Sequence, residues 1–208
     1  CNQTASDNTA FGYQALHCNT TGHNNVAVGN ALCKNLSGLY NVAMGSGALS
    51  SNTTASANVG IGRLALTTNT TGANNVAIGC CALKSNTTAD NNTAVGKDSL
   101  KSNTTGAANV AIGIHAMEKN ISGGNNTATG VYSLACNNTG SDNTANGGYA
   151  MKENTTGSNN VGVGRSALRC NTTASSNTAV GSSALCLNTG AGNSAVGHNA
   201  LLKNTTGT

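Results

Sequence analysis

Apolar residues recur along this chain with one fixed period. A small or β-branched residue, an alanine and a second β-branched residue lead into glycine; an Ala-Leu step and a polar turn follow. The set then restarts about 17 residues later. One copy runs Asn75-Val-Ala-Ile-Gly-Cys-Cys-Ala-Leu-Lys-Ser-Asn-Thr-Thr-Ala-Asp-Asn91. With the leading Asn as offset 0, copies start at Asn8, Asn25, Asn41, Asn58, Asn75, Asn92, Asn109, Asn126, Asn143, Asn160, Asn177 and Asn193. The last is incomplete, and two are one residue short: the copy from Asn25 between Gly29 and Leu32, and the copy from Asn177 after Asn188. All carry glycine at offset 4. No linker or change of composition interrupts the series, which predicts a single repeat domain over 1–208.

Period chooses the architecture. Seventeen residues are too few for a helical-hairpin repeat of about 33 or a leucine-rich repeat of about 20–29, but they suffice for one coil of a β-solenoid. Offsets 0 to 4 suit a short strand ending at a glycine corner, and Asn-Thr-Thr-Gly at offsets 11 to 14 is a turn signal. The expected fold is all-β, a parallel β-solenoid of about 12 coils with a 17-residue repeat, like residues stacked about 4.8 Å apart. Two apolar columns are expected inside it. Offset 3 holds Phe11, Val28, Met44, Ile61, Ile78, Val95, Ile112, Thr129, Asn146, Val163, Val180 and Val196; offset 8 holds leucine or methionine from Leu16 to Leu201. Asn146 in a core column would mark the weakest coil. Asparagine columns at offsets 0 and 11 are expected to hydrogen-bond from coil to coil.

Composition changes this picture little. Charged residues make up 8% and aromatics 2%, with no proline or tryptophan and 27 glycines. So polar a chain would suggest disorder if the repeat were absent. No apolar run approaches the ~18 residues of a membrane span. The opening at Cys1, without a basic and then apolar leader, reads as a mature, processed or excerpted piece.

Candidate chemistry is sparse. The net charge of +4 comes mostly from Lys34, Lys84, Lys101, Lys119, Lys152, Arg169 and Lys203 at offsets 9 and 10. That ridge is too thin, and too poor in aromatics, for nucleic acid, and reads as a solvated edge. Asp7, Asp90, Asp98, Glu118, Asp142 and Glu153 are scattered singly. His17 and Cys18 are the one His/Cys neighbour pair, and adjacent strand residues face opposite ways. Tyr13, Tyr40, Tyr132 and Tyr149 do not form one ladder. No catalytic residues, metal ligands or cofactor are expected, and the chain reads as no enzyme.

Two residue classes remain. Cys1, Cys18, Cys136 and Cys170 share offset 10, while Cys33 and Cys186 lie at offset 9. Neighbouring coils fall within disulfide range, so Cys170–Cys186 and either Cys1–Cys18 or Cys18–Cys33 are expected bridges, implying an oxidising, extracellular setting. Cys80 and Cys81 have no same-column partner next door. Offset 11 carries Asn-x-Ser/Thr at Asn2, Asn19, Asn35, Asn52, Asn69, Asn86, Asn103, Asn120, Asn137, Asn154, Asn171 and Asn204. Asn91 and Asn125, at offset 16, add two more. A glycan row on one face and a copied turn hydrogen bond both account for the column.

The motif Asn-Thr/Val-Ala-Val/Ile-Gly, as in Asn92-Thr-Ala-Val-Gly96, followed by the Leu segment, resembles the head repeat of YadA-type trimeric autotransporter adhesins. It also resembles repeat arrays of phage and bacterial tail fibres. The resemblance covers essentially the whole chain. It implies a left-handed parallel β-roll, with three chains side by side on a long extracellular fibre. The expected function is a structural, non-enzymatic fibre or surface-appendage protein, self-associating end to end or as a trimer. The alternatives are an adhesin or tail-fibre segment that binds host surface glycans, and an ice-binding protein using the threonine pairs at offsets 12 and 13.

Overall fold

The computed structural model describes residues 5–205, and over them the chain is strand and turn. Twelve three-residue strands, from β1 (Thr9–Phe11) to β12 (Ser194–Val196), make one sheet in sequential order. Each pair is parallel and matches like offsets: Val76 lies beside Thr93, Ala77 beside Ala94, Ile78 beside Val95. This is the β-solenoid that the period predicts.

The short strands account for only part of the stacking. Coil-to-coil backbone bonds continue through the turns, with Leu83 N donating to Ser99 O at 3.0 Å and Ser85 N to Lys101 O at 3.0 Å. On the far side of the corner Asp98 N donates back to Cys80 O at 3.0 Å. Turn backbone thus finds in the next coil the partner that regular structure would otherwise supply.

Closing a coil in so few residues takes left-handed backbone. Glycine at offset 4 turns the corner, and offsets 6, 8 and 16 also have positive φ, as at His115 (56°), Leu100 (47°) and Asn125 (57°). A leucine there costs about 1–2 kcal/mol. Burial offsets it, since Leu32, Leu49, Leu66, Leu83 and Leu100 are wholly buried and each gains about 1.5–3 kcal/mol. The short copy from Asn25 keeps register by dropping the offset 6 residue: Gly47 N still donates to Asn30 O, and Leu32 keeps its φ of 50°.

The interior differs from the expected one in one column. Offset 8 is the core, but offset 3 is not. The middle residue of each strand points inward, as Ala27, Ala77 and Ala111 do with no exposure, and the flanking offsets 1 and 3 point outward. Strand alternation forces that choice, and the thin interior decides its sense. A Cβ added at Gly60 would already lie 3.2 Å from Leu49 Cγ, so only alanine or glycine fits opposite the leucine column. Asn146 therefore sits exposed on the outer face and does not weaken the core.

Candidate functional site

Both asparagine columns line the interior. At offset 0, Asn109 N donates to Asn92 Oδ1 at 3.0 Å, while Asn92 Nδ2 donates to Gly106 O at 2.9 Å. At offset 11, Asn103 Nδ2 donates to Asn86 Oδ1 at 3.0 Å and to the same Gly106 O at 2.9 Å. One carbonyl per coil thus ties the two columns together. Among the described residues no buried side-chain nitrogen or oxygen lacks a partner.

This geometry corrects the glycan row. Asn35, Asn52, Asn69, Asn86, Asn103, Asn120, Asn137, Asn154 and Asn171 have no exposure, and Asn19 has 2%. The Nδ2 to which a glycan would attach spends both hydrogens on hydrogen bonds, as at Asn52 to Asn35 Oδ1 and Ala55 O. A sugar on it would have no exit. Asn204 is half-buried and donates to Asn188 Oδ1 at 3.1 Å; Asn2 lies outside the described residues. The copied turn bond is the reason for the column. Among the described residues the exposed sequon asparagines are Asn91 and Asn125.

The threonine pairs divide in a similar way. Thr53, Thr87 and Thr104, at offset 12, donate Oγ1 to carbonyls of the next coil at 3.2, 3.2 and 3.1 Å. Among the described residues no offset 13 threonine hydroxyl donates to the next coil in this way.

The expected disulfides are not formed. Cys18, Cys33, Cys170 and Cys186 carry free thiols, as do Cys80, Cys81 and Cys136; Cys1 lies outside the described residues. Cys170 N donates to Cys186 O at 2.8 Å and Cys18 N to Cys33 O at 3.1 Å. Parallel register therefore sets Cys170 beside Leu187 and Cys18 beside Lys34, each pair one residue out of step. Burial raises the pKa of the Cys33 and Cys170 thiols, with smaller contributions from Cys18 and from Glu153 and Cys186. His17 and Cys18, expected to face apart, approach to 3.5 Å because that segment is turn, not strand.

Stacking gathers residues that look scattered in the sequence. Offset 6 runs Cys81, Asp98, His115, Tyr132, Tyr149. His115 stacks on Tyr132 with centroids 4.9 Å apart, and Tyr132 on Tyr149 at 5.6 Å. Lys152 Nζ lies 5.7 and 5.8 Å from the two tyrosine centroids, within cation–π reach. At the other end Lys101 pairs with Asp98 at 3.2 Å and His115 Nδ1 with Glu118 at 3.0 Å. The hydrogen bond to Asp98, more than any other cause, holds the Lys101 ammonium above its ordinary pKa. The four tyrosines still make no common ladder, but two of them join His115 in one. Spacing was the available signal: 115, 132 and 149 are one repeat apart.

No family model, curated protein or solved structure matches the chain. The outer strand face is exposed and mainly apolar. Two columns of mainly Val, Ile and Thr run its length, with Phe11 75%, Met44 41%, Ile78 38%, Ile112 44% and Val196 76% exposed. An open groove on another side is lined by Lys119, Ile121, Cys136, Asn138, Glu153 and Thr155. No helix among the described residues is long and apolar enough to cross a membrane.

Proposed function

We propose that this chain is a structural, non-enzymatic rod, part of an extracellular fibre or surface appendage, which associates side by side with copies of itself through its outer strand face. The observation that carries the reading is the exposed apolar column at offset 3. Its unbroken apolar run from Phe11 to Ile112 is a patch of the kind that marks an association site, and its regular spacing fits an identical neighbour. The commitment of the asparagine and threonine side chains to coil-to-coil bonds supports a mechanical role.

Light scattering and sedimentation test this on the purified chain. We expect a defined multimer for the wild type and a monomer for the double variant Ile78→Asp/Ile112→Asp. Both positions are partly exposed, so the coil itself should survive, as circular dichroism would report. A wild type that stays monomeric at high concentration would refute side-by-side assembly. A multimer unaffected by the double variant would move the contact to the open edges of β1 and β12.

A second reading, an adhesin or tail-fibre segment binding host surface glycans, is favoured by the stacked His115, Tyr132 and Tyr149 with Lys152 beside them. Binding on a glycan array that is lost in Tyr132→Ala and Tyr149→Ala would support it; no binding above background would remove it.

A further inference from the structure

Cys80 and Cys81 are adjacent in sequence, and their sulfurs lie 3.5 Å apart. In a strand, successive side chains would diverge. Here the corner glycine Gly79 has φ +133° and Cys81 itself φ +60°, and that bend turns both thiols toward one side. Both are half-buried, so reagents can reach them. The backbone beneath them is pinned from two coils: Cys81 N donates to Arg63 O at 2.9 Å, and Cys80 O accepts from Asp98 N at 3.0 Å. The backbone beneath the pair is thus fixed before anything binds, and only the two side-chain rotors remain to be ordered.

The sulfur–sulfur separation suits a bent two-sulfur chelate rather than a linear one. With bonds of about 2.3 Å from sulfur, a linear two-coordinate ion needs sulfurs about 4.6 Å apart, and a tetrahedral ion about 3.8 Å. The observed 3.5 Å corresponds to an angle near 100° at bonds of about 2.3 Å, that of a pyramidal centre carrying a lone pair. Zinc would also want further ligands, and no group of three or more His, Cys, Asp or Glu among the described residues could surround a metal ion.

We propose that Cys80 and Cys81 form a preorganised dithiol site for trivalent arsenic, and by the same chemistry antimony, bound as a two-sulfur chelate. The step is a condensation with no change of oxidation state. Two As–S bonds form as two As–OH bonds of arsenous acid break, and each hydroxyl leaves as water with one thiol proton. The third As–OH remains. Protonated thiols are the reactants, in keeping with burial, the largest of the causes that push the Cys81 thiol up. The site depends on the corner geometry alone and stands whether or not the chain is a fibre.

Phenylarsine oxide is the probe, since its oxide oxygen leaves as a single water when two thiols close on arsenic. The full chain, reduced and then freed of reductant, is treated with it and read by intact mass. We expect a tightly held equivalent in the wild type that a small competing dithiol removes. That equivalent is lost in Cys80→Ser and in Cys81→Ser, and kept in Cys136→Ser and in Cys170→Ser. Excess zinc should not displace it. No adduct on a wild type whose thiols titrate as free would overturn the site. So would an unchanged adduct count in both Cys80→Ser and Cys81→Ser.

Discussion

Asn103→Ala is expected to lower stability by roughly 2–6 kcal/mol. The substitution removes the bonds from Asn103 Nδ2 to Asn86 Oδ1 and to Gly106 O. It also strips Asn120 Nδ2 of its 2.8 Å acceptor. Gly106 O keeps Asn92, so two groups are orphaned: the Asn86 oxygen and one Asn120 hydrogen. Each buried orphan costs about 1–3 kcal/mol. Asn103→Asp should be at least as damaging, because it buries a carboxylate that accepts where two donors are required. Asn125→Ala is the control. Its side chain is exposed, and Ala108 already takes the same left-handed backbone at φ 57°, so its effect should stay within about 0.5 kcal/mol. Urea denaturation of the three variants measures all of this, and equal midpoints for Asn103→Ala and Asn125→Ala would contradict it.

Gly113→Ala should cost about 3 kcal/mol or more. Gly113 has φ +138°, outside the left-handed basin that other residues use, and an added Cβ would sit 2.5 Å from Gly130 O. That oxygen belongs to the backbone of the next coil, which is itself stacked on both sides and cannot move away. Gly192 offers the contrast: φ is +74° and nothing lies within 4 Å of its added Cβ. Gly192→Ala should therefore cost only about 1–2 kcal/mol. Thermal melts of the two variants compare them directly.

What the sequence revealed and what it concealed follow from the same stack. The period, the parallel coil, the leucine column and the asparagine ladders were legible because one repeat unit explains each. The direction of the strand was not. Val76-Ala77-Ile78 offers two faces, and hydrophobicity assigns the larger side chains to the inside; only the narrow space facing the leucine column, as between Gly60 and Leu49, reverses it. The sequons were ambiguous because the same Asn-Thr-Thr serves a turn, and burial of the Asn103 amide, invisible in one dimension, separates the two. Left-handed leucines give no sequence signal at all, since leucine is not a residue that prefers such backbone. The His115 column was readable from spacing, but only when histidine is counted with the tyrosines.

Like side chains lie over one another in the stack, and the asparagine amides are locked inside it. Hydrogen exchange of the asparagine side-chain amides, followed by nitrogen-15 NMR, tests this most directly. The Nδ2 protons of Asn86, Asn92, Asn103 and Asn109 should exchange only on large-scale opening, while those of Asn91 and Asn125 should exchange at once. Equally fast exchange at all six would contradict it.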